Sequence, residues 1–113
     1  MLKRITDEEF AEVDLVPQAI LSLPISHFAK LYGDFQTRED DFDVYEGAEF
    51  AISSGARFSL RRYGGYPRDT TTIYLPSQVS DVREISALVL EIVHALEVPP
   101  TLVQWQRLDG HNL

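Results

Sequence analysis

The chain reads as an α+β fold: a two-layer sandwich of about four mainly antiparallel strands, a long helix in the C-terminal half and one or two short N-terminal helices. Three observations predict it. Between Ala48 and Leu75 apolar and polar residues alternate, broken by turn signals at Ser54-Gly55 and at Gly64-Gly65. Between Asp81 and Glu97 the apolar residues recur at helical spacing instead. A length of 113 residues with 44% apolar content suits one domain, 1–113, with a hydrophobic core.

Thr6 and Glu9 have capping-box spacing, with Ile5 and Phe10 placed as a hydrophobic staple. Asp7, Glu8 and Glu9 fall in a first turn, where the helix dipole favours negative charge. A short helix is expected from there to about Asp14, because Val16 precedes Pro17 and is held out of the α region. Residues 17–23 include Ala19-Ile20-Leu21, a run too brief to separate strand from helix. Ile25, Phe28 and Leu31 recur at helical spacing, Lys30 occupies the last turn and Gly33 supplies a terminator, which predicts a helix from Pro24 to Tyr32.

After a polar loop, Asp41, Asp43 and Tyr45 alternate with Phe42 and Val44. Three strands follow as an antiparallel meander. Ala48, Phe50 and Ile52 alternate with Glu49, Ala51 and Ser53. Phe58 and Leu60 alternate with Arg57, Ser59, Arg61 and Tyr63. The β-branched run from Thr70 to Leu75 is closed by Pro76. Strict alternation aims Arg62 at the core, so it lies past the packed part of its strand, pairs with a buried acid, or marks a bulge. Ser80 or Asp81 is placed to cap the long helix, and Asp81 with Glu84 repeats the capping-box spacing. Val82, Ile85, Val89, Ile92, Val93 and Leu96 share its apolar face, and Leu90 interrupts the polar side. Val98-Pro99-Pro100 ends the helix, and Thr101 to Arg107 reads as the last strand. If that strand runs parallel to the Thr70–Leu75 strand, the crossover should be right-handed.

The net charge of −8 is uneven. Residues 1–56 carry four basic and twelve acidic side chains, whereas residues 57–113 carry six of each. This balance argues against general nucleic-acid binding and against an anionic membrane surface, both of which select a basic footprint. No apolar run approaches the ~18–20 residues that span a bilayer, and the N-terminal residues lack the apolar region of a signal peptide. With no Cys there is no disulfide framework, zinc–thiolate site or cysteine nucleophile. The expectation is a soluble cytoplasmic protein.

Catalytic signatures are sparse. There is no Gly-x-Ser-x-Gly elbow, and turns and caps account for the serines near secondary-structure boundaries. His27, His94 and His111 lack metal-ligand spacing. Asp41 to Gly47 opens like a calcium loop, but its Gly comes one place late and Ile52 stands where a bidentate Glu is required. Gly64-Gly65 is followed by Tyr-Pro and no helix, which excludes both phosphate-binding glycine patterns. The carboxylates from Glu39 to Glu49 form a hydrophilic cluster, and acid–base catalysis instead needs one carboxyl raised by apolar burial. No catalytic residue, cofactor or metal is assigned.

Two surfaces carry the functional reading. The first is acidic: Glu39, Asp40, Asp41, Asp43, Tyr45 and Glu46, where steering charge is interleaved with apolar anchors. The second is the outer sheet face and its hairpin: Arg57, Arg61, Tyr63, Arg68 and Tyr74, residue types enriched at binding hot spots. Both also admit a plain reading, as solubilising charge and an ordinary solvated strand face. The leading expectation is a non-enzymatic protein-interaction module, such as an inhibitor or immunity-type protein that masks a basic site on a protein partner. The alternative is a homodimer that binds a small anionic ligand near the Arg/Tyr hairpin, with Arg forks holding carboxylate or phosphate.

Overall fold

A computed structural model describes residues 2–6, 8, 14–41 and 43–106. Among these residues the chain forms β1 (Leu2–Ile5), β2 (Leu15–Leu21), α1 (Ile25–Tyr32), β3 (Gln36–Glu39), β4 (Val44–Ile52), β5 (Arg57–Tyr63), β6 (Thr71–Pro76), α2 (Val82–Ala95) and β7 (Val103–Gln106). The fold is α+β, with one mainly antiparallel sheet and two helices. The helix expected from Thr6 to Asp14 falls mostly outside the described residues, as do Phe42 and the chain beyond Gln106.

The sheet has seven strands, in the order β1-β4-β5-β6-β2-β7, with β3 also paired to β4. This corrects the expected count of about four. The meander β4-β5-β6 has the anticipated pairing, from Tyr45 opposite Tyr63 to Ala51 opposite Arg57. The run at 17–23 resolves as a strand through Leu21, with a bulge between Pro17 and Ala19 that accommodates the proline within β2. β1 and β3 share one edge of β4: β3 pairs with Val44–Gly47 and β1 with Glu49–Ile52. Both β6 and β7 pair antiparallel to β2, so β7 runs parallel to β6 with β2 between them.

Phe50, Phe58, Leu60, Ile73 and Leu75 project from one face of the sheet and pack with Phe28 of α1 and Ile85, Val89, Ile92 and Val93 of α2. Burial of each such side chain contributes about 1.5–3 kcal/mol. Val82, expected on the apolar face of α2, is 40% exposed in its first turn, and Leu90 is 67% exposed. Asp81 is the N-cap residue of α2 but makes no side-chain cap, so the anticipated capping box does not form.

The end of α2 is closed by the backbone. The Val98 N–H donates to the Val93 carbonyl and the Glu97 N–H to the His94 carbonyl, at 3.1 and 3.0 Å. This is the Schellman arrangement, with Glu97 at φ 58° in the left-handed position that glycine usually fills. Gly33 does terminate α1 as expected, at φ 102°. No described helix is long and apolar enough to cross a membrane.

Candidate functional site

The sheet face opposite the helices is polar, yet much of it is buried. Alternation sends Tyr45, Gly47 and Glu49 of β4, Ser59, Arg61 and Tyr63 of β5, and Thr72 and Tyr74 of β6 to this side. Glu49 is only 1% exposed and Ser59 is fully buried. A carboxylate so placed must be compensated, since an unpaired buried charge costs several kcal/mol.

The compensation comes chiefly from β3 and β5. Arg38 grips Glu49 with both terminal nitrogens, Nη1 to Oε2 at 2.8 Å and Nη2 to Oε1 at 2.9 Å. Ser59 Oγ donates to Glu49 Oε2 at 3.0 Å and accepts from Arg61 Nε at 2.9 Å. Arg61 Nη2 lies 3.7 Å from the same carboxylate oxygen. Burial alone would lower the pKa of Arg38, but the hydrogen bond and charge of Glu49 outweigh it and hold the guanidinium firmly protonated. Gln36 Oε1 accepts from Arg38 Nε and Nη2 at 3.2 and 2.8 Å, fixing the fork from its outer side.

Arg61 links this pair to a tyrosine cluster. Its guanidinium lies 4.5 Å from the Tyr45 ring centre and 5.7 Å from that of Tyr74. Tyr63 packs against both rings, at 4.8 and 6.1 Å between centroids. Gly47 allows this stacking: a Cβ there would meet the Tyr45 ring at 2.9 Å and Arg61 Cγ at 3.3 Å. The Tyr63 hydroxyl accepts from Arg61 Nη1 at 3.2 Å and donates to Asp40 Oδ2 at 2.5 Å. Burial, and then the hydrogen bond to Asp40, push Tyr63 up to about 12. Tyr74 is pushed higher, by burial first and then by the neighbouring tyrosines.

Beside this cluster the surface opens into a cleft of about 750 Å³, within the ~300–1,000 Å³ typical of ligand sites. Arg61, Tyr63 and Tyr74 form one part of its lining, and Gly65 and Tyr66 of the β5–β6 loop another. Asp14, Leu15 and Pro17 line it from the start of β2, and Asp40 and Asp43 from the β3–β4 turn. Those two aspartates also build the turn. The Asp43 N–H donates to Asp40 Oδ1 at 3.1 Å, and the Val44 N–H donates to Asp43 Oδ1 at 2.7 Å.

The residues expected to act together are therefore distributed. Asp40, Asp43, Arg61, Tyr63 and Tyr74 meet at the cleft. Tyr45 is buried beneath Arg61, and Glu46 pairs with Arg62 at 3.0 Å on the opposite side of the strand. Arg62 thus takes one of its anticipated alternatives, lying beyond the packed core; the acid it meets, Glu46, is 40% exposed and not buried, and the β4–β5 register has no bulge. Glu39 and Asp41 are exposed next to the turn, while Arg57 and Arg68 are exposed away from the cleft lining. Glu49, grouped by sequence with the solvated acids, is a buried strand residue.

Sequence reasoning missed Asp14, Arg38 and Tyr66. Asp14 falls at the end of the expected N-terminal helix and Arg38 in the expected polar loop, and neither pattern marks a binding side chain. Tyr66 lay inside the hairpin loop, where a tyrosine between Gly65 and Pro67 was the available signal. Among the described residues no group of three His, Asp or Glu side chains converges as a metal-holding set. No family model matches the chain, and neither a curated protein nor a solved structure shows significant similarity to it.

Proposed function

We propose that this protein is a small acidic, non-enzymatic interaction module of the cytoplasm that masks a basic site on a protein partner, as an inhibitor or immunity-type protein does. The observation that carries this reading is the charge of the cleft. Among the described residues three aspartates line it, and the one cation among them, Arg61, is already shared with Glu49, Ser59 and Tyr63. Exposed Glu39 and Asp41 extend the negative field beside it. A basic surface would be steered towards this side of the molecule and would find tyrosine rings to pack against.

A second reading, a homodimer that holds a small anion near the hairpin, is favoured by the presence of Arg61 in the cleft. The same three aspartates oppose it, because an anion placed there would face like charge. The two readings separate in one experiment. Partners are isolated with the tagged chain, and the purified complex is reconstituted and its association measured at several salt concentrations. The module reading expects a partner with a basic contact surface and an association rate that falls with salt. Asp40→Asn, Asp41→Asn and Asp43→Asn together should slow association by about tenfold at low salt and flatten that dependence. Unchanged kinetics in the triple variant would refute it.

A further inference from the structure

The lining of the cleft also defines the side chain that would enter it, granted the module reading above. Arg38 and Arg61 supply two positive charges to the buried network, and Glu49 and Asp40 supply two negative ones, Asp40 through the Tyr63 hydroxyl. That set is balanced. Asp14 and Asp43 remain on the lining, and neither has a cationic partner among the described residues. They approach from different parts of the fold, one at the start of β2 and the other before β4. An occupant must therefore carry positive charge to match the cleft.

The protein itself shows which cation suits these walls. Arg61 lays its guanidinium over Tyr45 while a carboxylate and a hydroxyl take its edge. Tyr66, which is 41% exposed, and Tyr63 offer similar ring surface at the cleft, with Asp14 and Asp43 as the acids. A planar guanidinium can stack on a ring and fork to carboxylates at once, which a compact ammonium cannot. We infer that the cleft receives an arginine side chain of the basic partner, stacked against Tyr63 and Tyr66 and held by Asp14 and Asp43.

The test uses the full chain and a short arginine-containing peptide, acetylated and amidated, beside its citrulline counterpart, which keeps the shape and loses the charge. The arginine peptide should shift the NMR signals of Tyr63, Tyr66 and Tyr74 saturably, and citrulline should bind at least about tenfold more weakly. Asp14→Asn with Asp43→Asn should weaken the arginine peptide by about tenfold, as two exposed charge contacts are lost. Gly65→Trp should block binding while the fold persists, because a Cβ at Gly65 meets nothing within 4 Å.

Equal binding of the two peptides, shifts centred elsewhere, or no saturable shift would overturn the inference. The partner complex distinguishes this failure from failure of the module reading. If Gly65→Trp assembles with parental kinetics while the triple Asn variant does not, the acidic module stands and the arginine site falls.

Discussion

Replacing Glu49 by Gln removes a charge from the buried sheet face with almost no change in volume. The carboxylate accepts three hydrogen bonds of 2.8–3.0 Å and lies 3.7 Å from a second guanidinium. Gln keeps one acceptor oxygen, but its amide nitrogen must face a donor, either Arg38 Nη2 or the Arg38 and Ser59 pair. Breaking a buried ion pair by removing one partner costs about 3–5 kcal/mol. The Arg38 and Arg61 side chains are 15% and 12% exposed, so water recovers part of the loss. The expected cost is therefore near the lower end, about 3 kcal/mol. At about 4 °C per kcal/mol for a domain of this size, Tm should fall by ~12 °C. Urea unfolding gives the free energy directly, with Glu39→Gln as an exposed control expected within about 0.5 kcal/mol of the parent. Arg38→Ala should cost much less in the Glu49→Gln background than in the parent, by more than about 1 kcal/mol. A Glu49→Gln cost below about 1 kcal/mol, or additive effects, would refute the buried pair as drawn.

Four further outcomes follow from the same geometry. Glu97→Gly should stabilise the protein by about 0.5–1 kcal/mol in urea unfolding, because glycine relieves the left-handed strain at φ 58° while the two closing hydrogen bonds remain. Gly47→Ala should destabilise by about 1–3 kcal/mol, since its Cβ would press on Tyr45 and Arg61, and calorimetry reads the loss. Alkaline titration should show Tyr63 ionising near 12, against about 10 in an unfolded chain. The raised value means the folded state keeps a proton that the unfolded state has shed. The contribution of Tyr63 to stability is therefore complete below pH ~10 and lost as the pH rises towards 12. Asp40→Asn should move Tyr63 ionisation downward, seen as an earlier rise in tyrosinate absorbance.

The meander and α2 were legible because each shows a clean hydrophobic period against a single core. β3 was not, since Gln36-Thr37-Arg38-Glu39 contains no apolar residue and is ordered by its edge pairing with β4. β1 was too short to compete with the adjacent capping signal. β2 was ambiguous because Pro17 argues against an interior strand, and its compatibility depends on a bulge that periodicity does not specify. Alternation placed Arg61, Tyr63 and Tyr74 on the correct side of the sheet and left Glu49 there too. It could not tell that this face is itself covered. That depends on Arg38 arriving from a neighbouring strand, and cross-strand partners are a property of register, which no local pattern contains.

The same register sharpens the electrostatic argument. Four basic residues lie in the first half of the chain. Arg38 is spent on Glu49, and Arg4 hydrogen-bonds the carbonyls of Tyr32, Gly33 and Asp34 at the end of α1, each at 3.2 Å, beneath the rings of Phe35 and Phe50. Lys3 and Lys30 are the two that remain. Nine acids of that half are among the described residues: Glu49 and Glu46 take the guanidiniums of Arg38 and Arg62, Asp40 takes the hydroxyl of Tyr63, and the other six are exposed. Among the described residues of this half, the charges that folding leaves exposed are therefore two lysines against six carboxylates. That is the physical reason a cleft with an arginine in its lining is expected to attract positive charge.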